Sequence, residues 1–219
     1  MENQVVTNLS KYSIEIFNDT FCSVSPLDYN NDIKLVYSSN RSTFGNKYVD
    51  DLNDYLMELL NYSDVYKDKM LEINDLELFY ILLERLNKKD YIALPVYAYI
   101  HSGISLSNTK FGCNFDSGLI GFIYISKKDS ITNYGKYRHI EKTIKFLEII
   151  TKEHSKCLNG DVYGYRLLDN QNNIIDNYGG YITDNPKLDM IDNIFDNCSV
   201  NLSKEEIKQL VEKSEILYS

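Results

Sequence analysis

Tyr91-Ile-Ala-Leu-Pro-Val-Tyr-Ala-Tyr-Ile-His101 is the stretch on which the reading of the fold turns. Ile92, Leu94, Val96, Ala98 and Ile100 alternate with Tyr91, Tyr97 and Tyr99, a period of two that marks a strand. One face is aliphatic and the other aromatic, so both should be covered by packing. Pro95 has no N–H to donate, which predicts either an edge strand or regular pairing that starts only after it. Leu119–Ser126 is the natural antiparallel partner.

Outward from this pair, Tyr12–Phe17 and Ile33–Tyr37 also read as strands, with a loop containing Pro26 between them. Helical spacing runs from Val49 to Asn61, with Leu52, Leu56, Leu59 and Leu60 on one side and Asp50, Asp51 and Asp54 near the positive end of the dipole. Asn74 and Glu77 have capping-box spacing ahead of Leu76, Phe79, Tyr80 and Leu83. A long amphipathic helix is expected over 139–157. Ile140, Ile144, Leu147, Ile150 and His154 line one side, and Arg138, Lys142, Lys145, Lys152 and Lys156 the other. Val162–Leu168 and Asn173–Asp176 flank the turn-forming Asp169-Asn-Gln-Asn172, a hairpin pattern that Tyr178–Tyr181 extends. Ser203 with Glu206, stapled by Leu202 and Ile207, opens the last helix. The pattern predicts one α+β domain over residues 1–219. Its sheet is mostly antiparallel, with a helical insertion at about 49–88 and C-terminal helices within 186–218.

The 219 residues are 43% hydrophobic and 13% aromatic with only 3 prolines, which excludes disordered and collagen-like classes. No apolar run reaches the roughly 18 residues of a membrane span, and Met1-Glu-Asn-Gln4 lacks the basic start of a secretion signal, so a cytoplasmic protein is expected. Cys22, Cys113, Cys157 and Cys198 form no metal-binding spacing; no metal and no cofactor are expected, and the cysteines read as free thiols, mostly buried. The net charge of −9 is uneven. Residues 1–126 hold 10 basic and 17 acidic groups, residues 127–160 hold 8 and 4, and residues 161–200 hold 2 and 7. This balance opposes nonspecific nucleic-acid binding, which needs cations to displace counterions, and suits competition for the basic groove of a nucleic-acid-binding protein.

Chemistry concentrates between the two central strands, in His101-Ser-Gly-Ile-Ser-Leu-Ser-Asn-Thr-Lys-Phe-Gly-Cys-Asn-Phe-Asp-Ser-Gly118. Connections of this length are usually functional or mobile. Ser102, Ser105, Ser107, Asp116 and Ser117 join His101 as candidate binding groups, and Arg41 is a further one. Cys113, His101 and Asp116 are the residue types of a thiol nucleophile, its base and an orienting acid, although no protease or nucleophile-elbow signature accompanies them. The glycines and hydroxyls also suit a phosphate-cradling nest. Asp169–Gly180 fails as a calcium loop, because Ile174 stands where a glycine is needed and Gly180 where a bidentate Glu is needed.

Leu94-Pro-Val-Tyr-Ala-Tyr-Ile-His-Ser-Gly103, continued by Asp116-Ser-Gly-Leu-Ile-Gly-Phe-Ile-Tyr124, resembles a family of phage and conjugative-element proteins of Gram-positive bacteria with the pattern LPxYxYxHSG…DSGxxGFIY. The resemblance covers about residues 12–183; Phe115 stands where Trp is usual, and Arg41 where a basic pair is usual. It brings no activity with it and implies a mobile-element setting, in which small acidic proteins counter host defence. Three function classes follow. The first is a stoichiometric counter-defence inhibitor that binds a host CRISPR or restriction component (a protein or ribonucleoprotein) through acidic surface. The second is a protein that captures a cyclic nucleotide or similar nucleotide signal on the 101–118 loop. The third is a hydrolase dependent on Cys113 and His101.

Overall fold

Gly118-Leu-Ile-Gly-Phe-Ile-Tyr-Ile125 offers the solvent almost nothing polar, so a strand made from it must be covered on both faces. In the structure, a computed structural model that describes residues 11–19, 25–39, 42–63, 70, 73–113, 115–134 and 140–218, that is what happens. β6 (Ser117–Ser126) is the middle of a five-stranded sheet with β2 (Lys34–Tyr37), β3 (Lys47–Tyr48), β4 (Tyr91–Ile100) and β5 (Ile104–Ser107), in the order β3-β2-β6-β4-β5. Only the β2–β3 pair is parallel. Ile123 and Ile125 join Ile92, Val96 and Ala98 in a core closed by Leu147 and Ile150 of α5 (Ile140–Leu158). Phe122 and Tyr124 point the other way. There they meet α2 (Leu52–Leu59), through Leu56 and Met57, and α3 (Asp75–Lys88), through Phe79, Leu82 and Leu86. The stretch expected as a helical insertion therefore supplies the layer over the aromatic face. Sheet and layers, with α1 (Pro26–Tyr29) and α4 (Lys127–Tyr134), belong to a compact unit spanning Ser25–Leu158.

Two expectations about this sheet change. Pairing of β4 with β6 runs from Tyr91 to Tyr99 straight through Pro95, which lies opposite Phe122. The Pro95 carbonyl accepts a hydrogen bond from the Asn108 side chain at 2.9 Å, on the side away from β6. The ring nitrogen faces that same side, where β5 has not yet begun to pair, so the ladder loses no donor. The second change is β5 itself, a strand inside what reads as an irregular connection. Its outward Leu106 N–H donates to the Ser155 hydroxyl (2.9 Å), and that hydroxyl donates to the Ile104 carbonyl (3.1 Å). One side chain of α5 thus engages two backbone groups on the outer side of an edge strand. Gly121 marks the tightest approach in the sheet, since a Cβ there would stand 1.8 Å from the Val36 carbonyl oxygen.

The described residues of Met1–Val24 and Asn159–Ser219 form a second compact unit. Its sheet has the order β8-β7-β1-β9, from β1 (Tyr12–Asn18), β7 (Val162–Asp169), β8 (Ile174–Ile182) and β9 (Ile216–Leu217); β9 runs parallel to β1. Alternation puts Ile14, Ile16, Tyr165 and Leu167 on one face, against Met190 and Ile194 of α6 (Pro186–Asn197) and Ile207 and Leu210 of α7 (Lys204–Lys213). The expected capping box at Ser203 and Glu206 is formed. The β7–β8 turn satisfies itself. The Asp169 carboxylate accepts from the backbone N–H of Gln171 and of Asn173, both at 2.8 Å, and Asn172 takes the left-handed conformation (φ 62°). The fold class is α+β.

Candidate functional site

His101 leaves the end of β4 into solvent. Its ring stacks on Tyr99 (6.3 Å between centroids), and its Nδ1 lies 3.5 Å from Oδ2 of Asp116, the residue before β6. The Ile100 N–H donates to the Asp116 carbonyl at 2.8 Å, so backbone and side chain both tie the two ends of the connection together. Tyr99 also meets Phe111 at 5.7 Å, which holds the middle of the connection against the strand. Ser117 Oγ donates to the Cys113 carbonyl, and Ser107 Oγ accepts the Thr109 N–H at 3.0 Å. Ser102 and Ser105 are exposed.

The structure therefore brings His101 and Asp116 together and places Ser117 beside them. Cys113 is exposed and free, and no hydrogen bond reaches its thiol among the described residues. Arg41 lies outside the described residues, as does Arg138 of the basic stripe. On that stripe Lys142, Lys145 and Lys152 are exposed, while Lys156 pairs with Glu153 at 3.2 Å. His154 is a buried structural group. Its Nε2–H donates to the Phe44 carbonyl (2.9 Å) and its Nδ1 accepts from the Ser25 hydroxyl (2.8 Å). A carbonyl can only accept, so Nε2 carries a proton, and it is in the neutral ring that Nδ1 accepts from the Ser25 hydroxyl. Burial pulls its pKa below the ordinary histidine value, against weaker upward pulls from the Phe44 carbonyl and Asp28.

Beside Asp116 the surface is concave. A hollow of about 700 Å³ is lined by Ser38, Phe44, Ile100, Phe115, Asp116 and Leu119. Phe115 is 98% exposed, and Ile100 beside it is also exposed. Ser38 and Leu119 line a second hollow of about 270 Å³ together with Asp50, Asp51 and Asp75. Asp50 and Asp51 continue into a third, of about 840 Å³, with Asp54, Tyr55 and Glu58. The three share walls, so they form one trough along the unit. Its carboxylates face one lysine of the lining, Lys47, which sits 5.6 Å above the Tyr55 ring.

The carboxylates at the head of α2 were legible only as helix-capping groups. Asp51 does cap, accepting the Asp54 N–H at 2.9 Å. Asp51, Asp54 and Glu58 also recur at steps of three and four, which places them on one side of the helix. Tyr55, between them, bonds the Tyr124 hydroxyl at 3.1 Å, and burial first and this bond second push the Tyr124 pKa up. Among the described residues, no helix is long and apolar enough to cross a membrane, and no group of three or more His, Cys, Asp or Glu side chains is placed to hold a metal ion. Comparison with protein-family models, curated proteins and solved structures finds no match to this chain.

Proposed function

We propose that the protein works by stoichiometric binding, offering the acidic trough of the Ser25–Leu158 unit to the basic, nucleic-acid-binding groove of a host defence component, either a CRISPR effector or a restriction nuclease. The observation that carries this reading is the run of Asp116, Asp75, Asp50, Asp51, Asp54 and Glu58 along three hollows that share walls. Carboxylates arrayed along a groove compete with phosphates for the same lysines and arginines, and they steer encounter over roughly a Debye length. Phe115, almost wholly exposed at one end, supplies the aromatic anchor that charge alone lacks. The mobile-element resemblance selects defence components among all basic partners.

The test is a cleavage assay. Purified protein is titrated into DNA cleavage by a guide-loaded CRISPR effector and by restriction nucleases from a Gram-positive host. Cleavage should fall at near one-to-one stoichiometry and recover as salt is raised. Full cleavage by every nuclease at ten-fold excess of the protein overturns the reading. Charge-neutral replacement of Asp50, Asp51 and Asp54 by Asn should weaken inhibition at least about ten-fold at low salt, in line with the cost of losing several interfacial charges.

A further inference from the structure

Arg166 is one of only four arginines in the chain, and its Nε is buried without a hydrogen-bond partner. On β7 it lies in register between Glu15 of β1 and Asn177 of β8. The Glu15 carboxylate stays 3.8 Å from Nη1, too far for a hydrogen bond. Nε is buried with no partner, and no hydrogen bond from the guanidinium is present among the described residues. The group instead stacks on Phe17, with its carbon 4.6 Å from the ring centroid. A planar fork of donors held on an aromatic face, with its donors unspent, is how Arg recognises a flat acceptor.

The surroundings are built to match. A hollow of about 390 Å³ is lined by Phe17, Asp19, Arg166, Asn177, Gly179 and Tyr218. Gly164 lets the Phe17 ring lie flat on the sheet, since a Cβ there would come within 2.4 Å of it. Gly179 makes the room for Asp19, whose Oδ2 would be 2.1 Å from a Cβ at that position. That oxygen accepts the Gly180 N–H at 3.1 Å, which fixes the carboxylate and leaves Oδ1 to accept elsewhere. Tyr218, 74% exposed, adds a second flat wall.

Charge narrows the occupant. One cation set against Glu15 and Asp19 leaves the hollow net negative, which disfavours a phosphate or any polyanion. What fits is a neutral flat ring whose edge carries a carbonyl acceptor for Arg166 beside an N–H donor for Asp19. We propose that this hollow binds a nucleoside through the lactam edge of its base, the edge that guanine and uracil carry and adenine lacks. Guanine suits it best, because Arg pairs with O6 and N7 while the neighbouring N1–H and amino group meet a carboxylate. The site shares no residue with the acidic trough and does not depend on the function proposed above.

Calorimetry and thermal melting of the full chain with guanosine, uridine, adenosine, 1-methylguanosine and inorganic phosphate test it. Guanosine and uridine should bind saturably and raise the melting temperature. Adenosine and 1-methylguanosine, which lack the carbonyl or the ring N–H, should bind about ten-fold more weakly or worse. Arg166→Gln and Asp19→Asn should each lose guanosine binding by a similar factor; the two modified nucleosides ask the same question of the unaltered protein should a variant fail to fold. No saturable binding of guanosine overturns the proposal. So do equal binding of adenosine, response to phosphate alone, or undiminished binding by Arg166→Gln in a variant that folds.

Discussion

The two sheets of this protein are dressed differently. In the five-stranded sheet helices cover both faces, with α5 on one and α2 with α3 on the other. In the four-stranded sheet the helices of its own unit, α6 and α7, cover one face, and the other carries Glu15, Phe17, Arg166 and Asn177. The strands announce the difference. β6 is apolar at nearly every position, whereas β1 reads Tyr-Ser-Ile-Glu-Ile-Phe-Asn, apolar at alternate ones. A strand's composition tells how many layers it needs, and a strand that needs only one leaves a face on which polar chemistry can be arranged.

Substitutions along one strand break the comparison most sharply. On β6 both neighbours should matter: Phe122→Ala should cost about 3–5 kcal/mol and Ile123→Ala about 2–5 kcal/mol in chemical denaturation, because each leaves a cavity in a different core. On β1 only one of two neighbours should. Ile16→Ala should be as costly as Ile123→Ala, whereas Glu15→Ala should stay within about 0.5 kcal/mol of the parent. Equal sensitivity at Glu15 and Ile16 would mean that β1 is wrapped on both sides after all.

A smaller effect separates the two sheet edges. Ser155→Ala should cost about 1–3 kcal/mol by removing the hydroxyl that accepts from the Leu106 N–H and donates to the Ile104 carbonyl. Hydrogen exchange at Leu106 should accelerate more than at β4. The β7–β8 turn, whose groups serve one another locally, should show no change in that variant.

Acid should act on the doubly covered unit through His154. Its folded pKa lies below the unfolded value of 6.5, so the unfolded chain takes up the proton first as pH falls. The stability tied to the neutral ring is complete above that value and declines as pH drops through 6.5 toward the folded pKa. Thermal melting followed between pH 7.5 and 5 should show this decline, and His154→Gln should flatten it while lowering stability at pH 7.5. The smallest effect belongs to Phe115→Ser, which should change stability by no more than about 0.5 kcal/mol, since the ring packs on nothing. The same variant should lose inhibition in the cleavage assay.

What the sequence made legible is what local chemistry enforces. The Ser203–Glu206 box, the Asp169–Asn172 turn and the period-two strands were all readable, because each is decided within a few residues. β5 was not. Ile-Ser-Leu-Ser is a weak strand by composition and becomes one through Ser155, 49 positions away from Leu106. α1 forms where turn-forming residues predict a loop, because Ser25 and Asp28 make a capping box around Pro26. The boundaries near Val24 and Leu158 have no Pro- or Ser-rich linker to mark them, so one expected domain stands beside two compact units. At the sites the same rule holds. His101 and Asp116 flank one connection and their pairing could be guessed, whereas Phe17, Arg166 and Gly179 meet only because three strands align. The scarcity of arginine in a lysine-rich chain was the one hint of that hollow.

β1 pairs with β7 from Tyr12 opposite Asp169 to Asn18 opposite Tyr163, and all of Ser25–Leu158 is threaded between those partners. On a ribosome this imposes a schedule. The middle of the chain can collapse while β1 trails beside it unmatched, and closing so long a span carries an entropic cost before any strand contact rewards it. β1 is thus translated well before its partner, and Ile14 and Ile16 stay without their β7 neighbours until the chain through Asp169 has emerged.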